Sequence, residues 1–135
     1  MTETSIALLG YIGLMVVLLG ILATLRTGFT LSGKKAANSF LPTGEDVSPF
    51  SARLCRVHAN TYESFPIIGG LLLFALATSQ TDVTNGLAMI VLGARVLQAS
   101  VHLLSTSVLM VQVRFFFFLV QYGIVIFWLY RFLMG

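Results

Sequence analysis

Four polar side chains recur in RLCRVHANTYESFP, residues 53–66: Arg53, Arg56, Asn60 and Glu63. At about 100° per residue on an α-helix they fall within an arc of about 80°, whereas Cys55, His58 and Tyr62 point to the other side. A second set, Arg95, Gln98, His102 and Ser105, repeats the same offsets and so shares one face of its own helix. Arg114 adds a further cation. Guanidinium groups in this number suit the capture of an anion, because the planar fork donates two parallel hydrogen bonds to a carboxylate. Arg53, Arg56, Arg95 and Arg114 stand against Glu63, the only carboxylate placed within the apolar stretches, and protein interiors do not leave cations without counter-ions. An acidic small-molecule guest is expected; the plainer alternative is that Arg53 and Arg56 reach out to lipid phosphates. No group of histidines and carboxylates has metal-ligand spacing and no serine has a base beside it, so neither a metal centre nor a hydrolase is expected.

The elements that must position these groups are membrane helices. Of 135 residues 57% are hydrophobic and 10% charged, with mean hydropathy +0.93, whereas a soluble domain carries about 25% charged residues. Spans are expected at about 5–25, 53–78, 86–104 and 108–134, giving an all-α, integral membrane four-helix bundle in one domain over residues 1–135. The second span has only 13 apolar residues, Phe65 to Ala77, too few to cross alone, so its helix must run back through Glu63 and Asn60. Pro66 is expected inside a continuous helix, since membrane helices re-satisfy the freed carbonyl locally. Arg95, tenth of the 19 residues in its span, needs a partner there, because a charge at the centre of a span costs about 2.5–3.5 kcal/mol. Glu63 is the expected partner of Arg95 or Arg56.

The long 1–2 connection carries Arg26, Lys34 and Lys35, while SQTDVTN and the first four residues carry no Lys or Arg. The positive-inside rule then puts that connection in the cytoplasm and both termini on the other side. The first span has too long an apolar run and no basic lead for a signal peptide. Cys55 is the single cysteine, so no disulfide forms within the chain. A net charge of +3 suits an anionic leaflet and gives no ground for nucleic-acid binding. Gly10, Gly13 and Gly20 favour close helix approach. Tyr122, Trp128 and Tyr130 suit packing or an interfacial belt.

The pattern R-x-x-R-x-x-x-N-x-x-E followed by F-P, here Arg53, Arg56, Asn60, Glu63, Phe65 and Pro66, resembles the second-helix signature of the membrane-associated eicosanoid and glutathione metabolism proteins, MAPEG. That superfamily holds the microsomal glutathione transferases, leukotriene synthase and microsomal prostaglandin E synthase. Four spans, the chain length and the third-helix arginine agree with it. The resemblance implies a homotrimer with glutathione, as co-substrate, bound between neighbouring subunits on the cytoplasmic side. It implies that Arg53 and Arg56 hold carboxylates, that Asn60 bonds the peptide and that Glu63 meets the amine or orients an arginine. Arg95 and Gln98 complete the binding set, and His58 is either an interfacial contact or reaches the peptide end. Arg114, near the start of the fourth helix, is the candidate for stabilising the thiolate, whose free pKa is about 8.5.

This chain departs from the prostaglandin synthase relatives at three places. Ala59 stands where they have a basic residue. His102 stands where they have a tyrosine near the sulfur; it is read either as a sulfur contact or base, or as a packing group bonded to Ser105 or a carbonyl. Arg114 follows Arg95 by 19 residues, a longer interval than theirs, so the catalytic assignment fails if Arg114 faces lipid. Phe115 to Phe118 are read as lipid contacts or as an entrance wall for a lipophile. The function expected is a membrane-bound glutathione transferase, with possible peroxidase activity toward lipid hydroperoxides, acting on a lipophilic small molecule delivered through membrane lipids. The alternative is a non-catalytic trimer binding an anionic lipid or amphiphile.

Overall fold

The computed structural model describes residues 1–104 and 107–135. Among them the chain is all-helical: α1 (Glu3–Leu31), α2 (Pro49–Ala77), α3 (Thr81–Leu104) and α4 (Val108–Met134). Hydroxyl caps begin three of these helices. Thr2 Oγ1 accepts from Ser5 N at 3.1 Å, Ser48 Oγ from Ser51 N at 3.0 Å and Ser107 Oγ from Met110 N at 3.4 Å. Each satisfies an N–H group that a first helical turn leaves open. Pro49 heads α2, where its missing N–H removes no helical bond. Helix α2 continues through Pro66, as expected.

Two boundaries differ from the sequence expectation, and tertiary partners explain both. Helix α1 runs on to Leu31 because Arg26, read as the start of a loop, is held: it donates to Leu41 O at 3.3 Å and lies over the Phe40 ring at 5.5 Å. Helix α3 begins at Thr81 and absorbs most of the expected connection SQTDVTN. Its polar residues are satisfied by the start of α1. Asn85 Oδ1 accepts from Thr4 N at 3.0 Å and from Thr4 Oγ1 at 2.7 Å, while the Thr4 and Thr84 hydroxyls meet at 2.5 Å. Asp82 in the first turn also complements the helix dipole. Residues 78–80 are left to make the turn, with Ser79 at φ 58°.

Helices α1, α3 and α4 are long and apolar enough to cross a membrane. Helix α2, with 29 residues, carries Arg53, Arg56 and Glu63 in its first half and packs against α1 and α3. Helix α4 lies on α3 and touches α2, and among the described residues the α1 and α4 backbones stay apart. One core cluster joins Ala7, Tyr11, Ile68, Leu72, Val91 and Trp128, and a second joins Leu18, Leu54, Val57 and Ala99. Of the four α1 glycines only Gly10 sits at a close approach within the protomer: a Cβ there would stand 2.7 Å from Leu92 Cδ2, while Gly13, Gly20 and Gly28 face open space. Trp128 is fully buried and therefore packs in the core instead of joining an interfacial belt.

The 32–48 connection folds back over the start of α2. Lys35 Nζ meets Asp46 Oδ2 at 2.9 Å, and the same oxygen accepts from Leu41 N at 3.2 Å. Gly44, at φ 73°, lies so close to α2 that a Cβ would stand 2.6 Å from Ser51 O. This connection, the starts of α2 and α4 and the end of α3 form one end of the bundle.

Candidate functional site

The charged residues of α2, α3 and α4 fall into two layers. The outer layer lies at the end of the bundle that carries residues 32–48. Arg53 is half-buried and its Nε donates to Leu103 O at 2.8 Å, which ties the start of α2 to the end of α3. Arg56 is exposed and stands 3.9 Å from Glu45, both side chains being open to solvent, so the pair is worth little in stability. His102 is buried at 5% exposure. Arg53, Arg56 and Arg114 are the guanidinium groups of this layer, contributed by α2 and α4. Arg114 is half-buried, and its Nε has no hydrogen-bond partner among the described residues. Ser105, expected as the fourth member of the α3 stripe and a partner for His102, lies outside the described residues.

The deep layer lies two helical turns further in, about 10 Å along α3 for the seven residues from His102 to Arg95. Arg95 is 2% exposed. One terminal nitrogen donates to Ser64 Oγ at 3.1 Å and to Asn60 O at 3.4 Å, and the other donates to Gln98 Oε1. Gln98 Oε1 also accepts from Gln121 Nε2 at 2.8 Å, and Gln121 donates to Phe117 O at 3.0 Å. Tyr11 closes the layer from α1: its hydroxyl bonds Ser64 Oγ and donates to Thr61 O at 2.8 Å. Beside this network is a crevice of about 120 Å³ between α2, α3 and α4, lined by Asn60, Ser64, Arg95, Phe118, Gln121 and Tyr122 among others.

The expected pairing of Glu63 with an arginine is not formed. Glu63 is exposed and has no ion pair among the described residues, and Arg56 turns to Glu45 instead. The expectation rested on charge scarcity, with Glu63 the only carboxylate at hand. Arg95 is instead surrounded by neutral acceptors, a hydroxyl, a carbonyl and an amide, which reach it without a second desolvated charge. His58 is also apart from the cluster. It stacks on Tyr62 at 6.0 Å and lines a groove with Ile12, Val16, Leu19 and Phe65 on the α1 side of α2. Arg53, Asn60, Arg95, Gln98, His102 and Arg114 are brought to the shared interior of α2, α3 and α4; Arg56 lies at its rim, and Glu63 and His58 face out of it.

Tyr11, Ser64 and Gln121 were not singled out from the sequence. Gln121 carried a readable signal, a buried-length amide following the wholly apolar run 115–120. Tyr11 and Ser64 carried none, because single hydroxyls on membrane helices commonly bond their own backbone. Among the described residues no group of three His, Cys, Asp or Glu could hold a metal ion. Phe118 lines the crevice, while Phe115 and Phe116 are exposed.

Compared with known proteins, the chain matches the model of the MAPEG family over residues 4–134. No curated protein and no solved structure matches it.

Proposed function

The chain belongs to the MAPEG family, and from that premise we propose that it is a membrane-bound glutathione transferase that also reduces lipid hydroperoxides. The observation that carries this reading is the gathering at one end of the bundle of Arg53, bonded to Leu103 O, the buried His102 beside that carbonyl and Arg114 near the start of α4. Glutathione brings two carboxylates and a thiol that must ionise, and a cluster of guanidinium groups meets both needs. In this reading Arg53 and Arg56 take the carboxylates, Asn60 and Gln98 bond the peptide, and Arg114 stabilises the thiolate with His102 beside the sulfur. The half-buried guanidinium of Arg114, with an unpartnered Nε, supports that role.

The thiolate sulfur then forms a bond to an electrophilic carbon, and the leaving group departs with the bonding pair. With a hydroperoxide, sulfur takes the terminal oxygen and the alcohol leaves; a second glutathione converts the resulting sulfenic acid to glutathione disulfide and water. Assembly as a homotrimer belongs to the same proposal, with the arginine end facing the cytoplasm and the termini away from it. The outward positions of Arg56, His58 and Glu63 support sites completed by a neighbouring protomer.

Ultraviolet absorbance of the bound thiolate in stopped flow tests the reading. Wild type is expected to ionise glutathione on binding, and Arg114→Ala to lose the signal and about a hundredfold in turnover, the size typical of removing one group that stabilises a developing anion. Tight binding of glutathione with no ionisation would replace the transferase by a non-catalytic binder of anionic amphiphiles.

A further inference from the structure

The end of α1 holds cations that thiol activation leaves unused. Of the basic residues around the 32–48 connection, Lys35 meets Asp46 and Arg56 stands near Glu45. Arg26 and Lys34 have no carboxylate among the described residues; they lie over the rings of Phe40 and Phe29, each at 5.5 Å. Arg26 is half-buried, and only its Nη2 is bonded, to Leu41 O at 3.3 Å with Cys55 Sγ at 3.9 Å. Its Nε and Nη1 have no acceptor among the described residues, and neither is sealed from the surface as the Nε of Arg95 and of Arg114 is.

Arg26 lines a recess of about 410 Å³ with Thr27, Thr30, Leu31, Asn38 and Phe40, within the range of about 300–1,000 Å³ of pockets that hold small ligands. Its polar groups are idle. Hydroxyls on helices commonly bond back to their own carbonyls, as Ser32 does to Phe29 O, Thr78 to Phe74 O and Ser100 to Val96 O. The hydroxyls of Thr27 and Thr30 and the Asn38 amide make no hydrogen bond among the described residues. A guanidinium, two hydroxyls and an amide therefore bring unused donors to one space, a set that suits the oxygens of a phosphate. The height of the recess names the source of that phosphate. Ser5 to Leu25 are 21 residues without a charge, about 32 Å of helix at about 1.5 Å per residue, against about 30 Å of hydrocarbon. Arg26 is the first residue past that run, so it and the turn that follows stand level with the lipid phosphates. Leu31 on the rim is 83% exposed, and Leu41, whose carbonyl holds Arg26, is 50% exposed; a bilayer surface covers such groups and water does not.

We propose that this recess binds the headgroup of an anionic phospholipid from the surrounding leaflet, its phosphate oxygens accepting from Arg26, Thr27 and Thr30 while Lys34 supplies the second charge. A zwitterionic headgroup fits less well, because it brings a cation and no carboxylate lines the recess to meet it. The nearby carboxylates, Asp46 and Glu45, face Lys35 and Arg56. The bound lipid is a fastening and not a substrate: it ties the end of α1 and the 32–48 connection to the bilayer surface. The inference stands apart from the transferase reading and survives its failure.

Native mass spectrometry of the full-length protein released from detergent micelles provides the test. Delipidated protein is mixed with equal amounts of phosphatidylglycerol and phosphatidylcholine carrying the same acyl chains, with and without glycerol 3-phosphate as a soluble phosphate ester. Wild type is expected to retain phosphatidylglycerol at least about tenfold over phosphatidylcholine, the scale that two basic groups set at a lipid surface. Arg26→Gln should bring that ratio close to one. Thr27→Val combined with Thr30→Val keeps the side-chain volumes, removes no hydrogen bond within the described residues and should lower the ratio several-fold. If Arg26→Gln does not fold, the threonine pair decides. Equal retention of the two lipids by wild type would overturn the proposal, and so would a ratio that the threonine pair leaves unchanged. A ratio that falls with Arg56→Gln as far as with the threonine pair would assign the preference to the general positive field of this end. Displacement of phosphatidylglycerol by glycerol 3-phosphate would make a soluble ester the ligand. Either of these results also overturns the proposal.

Discussion

Gln121 shows how a neutral side chain organises a buried cation. Its amide donates to Gln98 Oε1 and to Phe117 O, so Gln98 Oε1 is held where Arg95 also reaches it. Replacing Gln121 with Leu keeps the volume and removes the donor that fixes Gln98. Interhelical hydrogen bonds in membranes contribute about 0.6 kcal/mol on average, with a maximum near 1.7. Gln121→Leu should therefore cost about 1 kcal/mol in reversible unfolding by a denaturing detergent. Arg95→Leu tests the opposite balance, since it removes the charge while Ser64, Gln98 and Gln121 keep their other partners. It is expected to cost less than the double variant Ser64→Ala with Gln98→Leu, which leaves the cation with fewer acceptors. A larger cost for Arg95→Leu than for that double variant would mean that the charge itself holds the bundle together.

At the scale of elements, the 32–48 connection is held down by a carboxylate and a glycine. The Lys35 ammonium bonded to Asp46, aided by the Leu41 N–H, holds the Asp46 carboxyl below its ordinary value of 3.8. A depressed folded value means that this contribution is fully present above 3.8 and is lost as the pH falls through the folded value. Amide hydrogen exchange in residues 32–48 should accelerate as pH drops below the ordinary carboxylate range, after correction for intrinsic exchange, and Asp46→Asn should abolish the pH dependence. Glycines make a sharper contrast. At Gly10 an added methyl meets the end of the flexible Leu92 side chain, whereas at Gly44 it meets the Ser51 carbonyl with φ at 73°. Gly44→Ala should cost about 1–3 kcal/mol and Gly10→Ala well under half of that, as read by thermal unfolding in detergent. These particulars also mark what the sequence could reveal. Apolar length and the offsets of three and seven placed four helices and set Arg95, Gln98 and His102 on one buried face. The boundaries at Leu31 and Thr81 escaped because they depend on Phe40, Leu41 and Thr4, which are distant in sequence. The Glu63 pairing failed for a related reason: composition counts charges but does not show which neutral dipoles will surround one.

At the scale of the whole molecule the protomer is unevenly covered. Helix α4 buries only Gln121 and Trp128 among the described residues, and the α1 backbone stays away from it. His58 faces the α1 side of α2, whereas His102 and Arg114 belong to the α2, α3 and α4 side. One glutathione cannot reach His58 and Arg114 of the same protomer through the packed helices, so a site that uses both must draw them from neighbours. Closed cyclic assembly makes every such interface equivalent. Arg114→Ala is expected to lose turnover through the thiolate, and His58→Glu to lose glutathione binding by setting a carboxylate against the peptide end of the ligand. Co-expressed in equal amounts and assembled at random, the two variants should recover about a quarter of wild-type activity, because each site has about an even chance of an intact residue from each of two contributors. Pairing Arg114→Ala with Arg53→Ala gives the control. Both residues sit on the same side of one protomer, Arg53 being bonded to Leu103 at the end of α3, so a site that takes both from one chain should recover no activity in that mixture. Mixtures of the His58 and Arg114 variants that stay as inactive as each parent, while purified complexes contain both chains, would place the whole site inside one protomer and remove the reason for assembly.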